Sequence, residues 1–188
     1  MPLLVTGLVV FLGVHVLPMA PAARHRLFVA WGERRYKLTY TVIAVVGLVL
    51  IVLGWRSAGP GAQLFAPFPL AVALAPYVMT LAFILLASSH SPSHIRAAVK
   101  HPMLIGVILW SIVHLLANGD TRGTVLFGAL LAYSVVDLVS VIRRGAVAVF
   151  EPRARADVIS IVAGVIVALL VMTFHRVFFG PAVVPFSV

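Results

Sequence analysis

The sequence predicts an all-α fold, a polytopic membrane bundle of about six transmembrane helices, and three observations carry that prediction. Of 188 residues, 62% are hydrophobic and 10% charged, with a mean hydropathy of +1.14, whereas soluble domains carry roughly 25% charged residues. The apolar residues gather into runs of about 20, the length that crosses roughly 30 Å of hydrocarbon. Lys and Arg fall between those runs, as membrane topology requires. The chain reads as a single domain over residues 1–188, with no internal repeat, low-complexity tract or linker. It has no cysteine, which excludes disulfides, thiolate nucleophiles, Cys-ligated zinc, iron–sulfur clusters and covalently attached haem.

The expected spans are Leu3 to Met19, Leu38 to Trp55, Leu70 to Ser89, Pro102 to Ala117, Thr124 to Ile142 and Val158 to Phe179, the fourth being the shortest. Eleven of the 14 basic residues lie in the first, third and fifth loops: Arg24, Arg26, Arg34, Arg35 and Lys37; Arg96 and Lys100; Arg143, Arg144, Arg153 and Arg155. Only Arg56, Arg122 and Arg176 lie on the other side. The positive-inside rule therefore puts the basic loops in the cytoplasm and both termini in the periplasm. This distribution also accounts for the net charge of +9 without nucleic acid, for which no recognition motif is present. The first span is expected to be a membrane helix and not a secretory signal, since five positive charges follow it and none precedes it.

Local punctuation supports these elements. Trp31, Tyr36, Tyr40 and Trp55 flank the second span as interfacial aromatics, and residues Pro21 to Trp31 suit an amphipathic helix along the membrane surface. Pro102 fits the first helical position of the fourth span, with His101 near its cap and Asn118-Gly119 as its stop. Pro76 lies inside the third span, where it frees the Val72 carbonyl and favours a kink or a ligand pocket.

Seven histidines against five acids is an unusual ratio, and ionisable side chains at membrane depth mark function by default. His15 lies inside the first span; His114 lies inside the fourth, on a four-residue stripe with Trp110 and Asn118. Two readings stand for this pair: interhelical hydrogen bonds, or axial ligation of haem b between two helices. The helical rise puts each about 18 Å from its own face, leaving their levels roughly 6 Å apart in a 30 Å core. His25 and His175 read as solvated. His90, His94, Arg96, His101 and Asp137 form a second polar group near the cytoplasmic ends. Asp137, the one acid well inside a span, needs a partner and is expected to find Arg96, Lys100 or one of the histidines. Ser91-Pro92 interrupts His90 and His94, which argues against a zinc pair on one helix. A transporter is disfavoured by the lack of repeats and paired intramembrane charges.

The run from His101-Pro-Met-Leu-Ile-Gly106 through Leu109-Trp-Ser-Ile-Val-His114-Leu-Leu-Ala-Asn-Gly-Asp120 resembles the NnrU family of bacterial membrane proteins. Gly13-Val-His15 with Pro18, Gly32-Glu33 with Tyr36, and Ser93-His94-Ile95-Arg96 leading to Lys100-His101 agree with it over most of the chain. The resemblance implies a multi-pass inner-membrane protein linked to denitrification and the expression of nitrite and nitric oxide reductases. The family is also similar to 15-cis-ζ-carotene isomerase, a membrane enzyme whose haem b is held by histidines matching His15 and His114. Trp110 and Asn118 are then supporting residues of that site, with His101 as an alternative ligand. The implied partners are the lipid bilayer and either nitric oxide or an apolar small molecule such as a polyene. Where that isomerase has a cysteine three residues before the second histidine, this chain has Ser111, which supplies no soft thiolate to iron. A cofactor-free assembly protein whose basic loops meet lipid or a protein partner is the third reading.

Overall fold

A computed structural model describes residues 1–178. The described chain is helical: α1 (Pro2–Val16, continued by a 3-10 turn at Leu17–Met19), α2 (Pro21–Trp31), α3 (Glu33–Ser57), α4 (Pro69–Ser88), α5 (His94–Val99), α6 (Pro102–Asn118), α7 (Thr121–Arg143) and α8 (Ala154–Phe178). Five of these are long and apolar enough to cross a membrane, and α6, with 17 residues, is a shorter apolar helix, as its sequence led us to expect. Phe179, the end of the sixth expected span, lies outside the described residues.

The observed helices overrun the apolar runs at their polar ends. α3 begins at Glu33 where the apolar run begins at Leu38, and Glu33 pairs with Lys37 at 2.5 Å one turn on. The apolar run measures the hydrocarbon, and the helix continues into the headgroup layer beyond it. Residues 94–99, expected in the third loop, form the short α5, which Ser93 caps by accepting the Arg96 amide at 3.1 Å. α2 forms where expected, but its apolar residues Leu27, Phe28, Val29, Ala30 and Trp31 crowd its second half and do not form a stripe. α4 runs unbroken through Pro76, whose carbonyl accepts the Thr80 hydroxyl at 2.7 Å.

The long helices pack in the lateral order α3, α1, α7, α6, α4, α8. Leu4, Leu8, Ile51, Leu126, Phe127 and Leu130 form one core between α1, α3 and α7. Ala75, Met79, Val113, Ala168 and Met172 form another between α4, α6 and α8, and Trp110 packs against both. Outside these seams the helices bare Val, Leu and Ile along their length, the surface that lipid covers. Two of the aromatics expected at the interface are drawn inward. Tyr36 is 6% exposed and packs on Phe28 and Tyr40, and Trp55 packs on Phe127 with the Arg122 guanidinium 4.0 Å from its ring centre.

At the end of α6 three consecutive residues make one turn. Asn118 donates to the His114 carbonyl at 2.7 Å, Gly119 takes the left-handed conformation at φ +69° that closes the helix, and Asp120 caps α7 by accepting the Gly123 amide at 2.6 Å. The segment after α3 is stitched onto this turn: Leu64 donates to the Gly119 carbonyl at 2.8 Å and Thr121 to the Ala62 carbonyl at 3.0 Å. Arg122 closes the end of α3, donating to the Trp55 and Ala58 carbonyls at 3.0 and 2.8 Å. Asp120→Ala removes the α7 cap and is expected to cost about 1 kcal/mol, read as a lower midpoint in detergent unfolding followed by circular dichroism. An unchanged midpoint would show that the stitched loop holds the turn without the carboxylate.

Candidate functional site

His15 stands in the last turn of α1, where the helix tightens into the 3-10 turn. Its Nδ1 lies 2.6 Å from the Phe11 carbonyl one turn back. A carbonyl only accepts, so Nδ1 carries a proton here, and in the neutral ring this tautomer leaves the lone pair on Nε2. The ring is boxed by aromatics, with the Phe11, Tyr40 and Tyr133 centroids at 4.2, 5.5 and 6.1 Å. Tyr133 donates its hydroxyl to the His15 carbonyl at 3.0 Å and shares it with Asp137 Oδ2 at 3.2 Å. α7 is thereby pinned to the end of α1.

His114 repeats the same local chemistry on α6. Its Nδ1 lies 2.8 Å from the Trp110 carbonyl, which again leaves Nε2 as the basic nitrogen. Phe127 and Trp110 pack against the ring at 4.7 and 5.3 Å. Trp110 and Asn118 thus both bond to His114, one through its carbonyl and the other through its amide. On α7 the neighbours of the two histidines, Phe127 and Tyr133, are six residues apart, about 9 Å at the helical rise. Among the described residues no ring contact joins His15 to His114, whereas one joins His114 to His175, with centroids 6.3 Å apart.

The polar group expected near the other end divides into separate contacts. His94 pairs with Asp157 of α8 at 2.7 Å, and the same carboxylate accepts the Ile95 amide at 3.0 Å. His90 is exposed beyond the end of α4. Arg96 and His101 line a cavity at the first turn of α6. Asp137 takes Tyr133 on its own helix as partner, in place of the Arg96, Lys100 or histidine expected, and its Oδ1 is buried with no bond. His101 caps α6 thirteen residues from His114, about 20 Å along the axis, so these two do not meet on one metal. Among the described residues no group of three or more His, Cys, Asp or Glu side chains is arranged to hold a metal ion.

Three features of the site go beyond the sequence reading. Tyr133 was legible as the residue one turn before Asp137. His175 reaches His114 only because α8 returns beside α4 and α6. Ser111, one turn before His114, is fully buried, and its hydroxyl has no partner. A buried hydroxyl without a bond costs about 1–3 kcal/mol.

The fold defines a multi-pass helical membrane protein with two aromatic-walled histidines inside its bundle. Residues 3–183 match the NnrU protein family, and the chain belongs to that family. Comparison with curated proteins and with solved structures finds no match to this chain.

Proposed function

We propose that this protein binds haem b through His15 and His114 in a bacterial inner membrane and supports nitrogen-oxide respiration. The carrying observation is the matched state of the two imidazoles. Each has its Nδ1 tied to the carbonyl one turn back in its own helix, so each offers a basic Nε2 in an apolar, aromatic setting, the outer support that metal-ligating histidines need. Interhelical glue would instead engage the rings across helices. The unbonded Ser111 hydroxyl beside His114 fits a polar group supplied from outside the chain.

Haem b held by His15 and His114 would supply an iron that exchanges one electron. The chain's part is to hold the imidazoles: Phe11 and Trp110 fix their tautomers, while Phe127 and Tyr133 set their walls from one helix. The expected link to nitrite and nitric oxide reductase expression follows from the family resemblance. Polyene isomerisation finds no support at Ser111, where the thiolate of the related isomerase is missing.

The test is the absorption spectrum of the detergent-purified protein, oxidised and reduced, after expression with added haem precursor. We expect a b-type Soret band in the wild type and its loss in His15→Ala and His114→Ala variants with unchanged helical circular dichroism. A colourless wild type would overturn haem binding. With haem present, titration with nitric oxide and turnover of a polyene separate the respiratory reading from isomerisation.

A further inference from the structure

A cavity of about 190 Å³ opens at the basic end of the bundle, lined by Arg96, Lys100 and His101, the first turn of α6 and the segment that follows α7. At roughly 30 Å³ per water, it holds a small polyatomic group with some of its hydration. Its charge is of one sign: among the described residues the ion pairs are Glu33–Lys37 and His94–Asp157, so no carboxylate neutralises Arg96 or Lys100. Arg96 is also held in place. Its guanidinium lies 4.8 Å over the Phe150 ring, and the Phe150 segment is fastened by the Arg153 amide on the Pro92 carbonyl at 2.8 Å.

α6 adds donors of its own. Pro102 lacks an amide hydrogen, and the His101 side chain makes no capping bond. Met103 and Leu104 of the first turn line the cavity, and this turn has no side-chain cap, so the positive end of the helix dipole adds to the charge there. Ser89 contributes little, since its hydroxyl donates to the Leu86 carbonyl at 2.6 Å. Topology alone explains why basic residues lie at this end. It does not explain why two of them, Arg96 half-buried and Lys100 exposed, line one open cavity with the half-buried His101 at a helix N-terminus, whereas Arg24 and Arg26 of α2 are both exposed.

We infer that this cavity binds a phosphoryl group through Arg96, Lys100, His101 and the first turn of α6. The cavity lies where an apolar helix begins, the depth at which headgroup phosphates meet a spanning helix, and Met103 beside it is 42% exposed. A phospholipid headgroup and a soluble phosphate share the chemistry recognised here.

The test uses the full chain in neutral detergent at about 0.15 M salt, where the Debye length of about 8 Å suppresses diffuse attraction. Phosphatidylglycerol binding is followed by native mass spectrometry and inorganic phosphate binding by calorimetry. Arg96→Gln/Lys100→Gln is compared with Arg24→Gln/Arg26→Gln, which removes the same charge from α2, and with Lys100→Gln alone, an exposed position that leaves the fold undisturbed. We expect the Arg96/Lys100 variant to bind about tenfold or more weakly, since charge-assisted hydrogen bonds are stronger than neutral ones, Lys100→Gln to lose part of that, and the α2 variant to match the wild type. Binding of phosphatidylglycerol without inorganic phosphate assigns the lipid, and binding of inorganic phosphate assigns a soluble source. Failure of both ligands, or equal losses in the two double variants, overturns the inference.

Discussion

Gly54→Leu is expected to separate α3 from α1 and to lower stability by about 1–3 kcal/mol or more, the cost of overpacking a seam that cannot open locally. The two helices run antiparallel with Leu4 against Gly54, Gly7 against Ile51 and Phe11 against Gly47. An added Cβ at Gly7 would lie 2.5 Å from the Ile51 amide nitrogen, and one at Gly47 2.6 Å from that of Phe11; at Gly54 it would meet the Leu4 backbone. The obstacle in each case is main chain, so no rotamer change relieves it. α3 has few other anchors: α2, the Trp55–Phe127 contact and the Arg122 clamp. Gly13 lies in α1, where a Cβ would meet nothing within 4 Å, and Gly13→Ala is expected to stabilise by about 0.5–1 kcal/mol through helix propensity. Detergent unfolding midpoints followed by circular dichroism compare the two variants. Equal shifts would mean that α1 and α3 do not approach as closely as described.

The spans, the shortness of α6 and its start and stop were legible because each depends on local chemistry: apolar length, a proline without an amide, a glycine free to turn left-handed. What sequence could not supply is lateral order. Gly7, Gly47 and Gly54 carry no meaning until α1 is laid against α3 in one register. The sequence predicts Arg96, Lys100 or a histidine as the partner of Asp137, whereas Tyr133, one turn away on the same helix, bonds its Oδ2 and leaves Oδ1 buried without a bond; at membrane depth the nearest donor takes the carboxylate before a distant one can. Arg122 counted only toward charge asymmetry, and it turns out to donate to the carbonyls that end α3. At the candidate site the stripe of Trp110, His114 and Asn118 was visible as a four-residue spacing, and the two bonds that run along it are what such spacing permits. The proximity of His175 to His114 was not visible, since it arises from α8 packing beside α4 and α6 after a fold-level reversal.

His15→Ala, His114→Ala and His175→Ala are expected to divide sharply in the haem spectrum. Loss of His114 is expected to remove the band under either pairing, since His114 is the ligand common to both and lies against Phe127 of α7 and beside His175 of α8. For the opposite ligand two geometries compete. His175 is close, with its ring centroid 6.3 Å from that of His114, near enough for the two imidazoles to serve one site. His15 is farther along the bundle but is held on three sides: its Nδ1 by Phe11, its ring by Tyr40 and its carbonyl by Tyr133. A ligand fixed in tautomer and orientation before binding gives up little entropy when it binds. We therefore expect His15→Ala to lose the low-spin b-type spectrum and His175→Ala to keep it, with the reduced-minus-oxidised difference spectrum as the measure. The reverse pattern would move the second ligand to α8 and leave His15 with the packing role that its bond to Tyr133 already gives it.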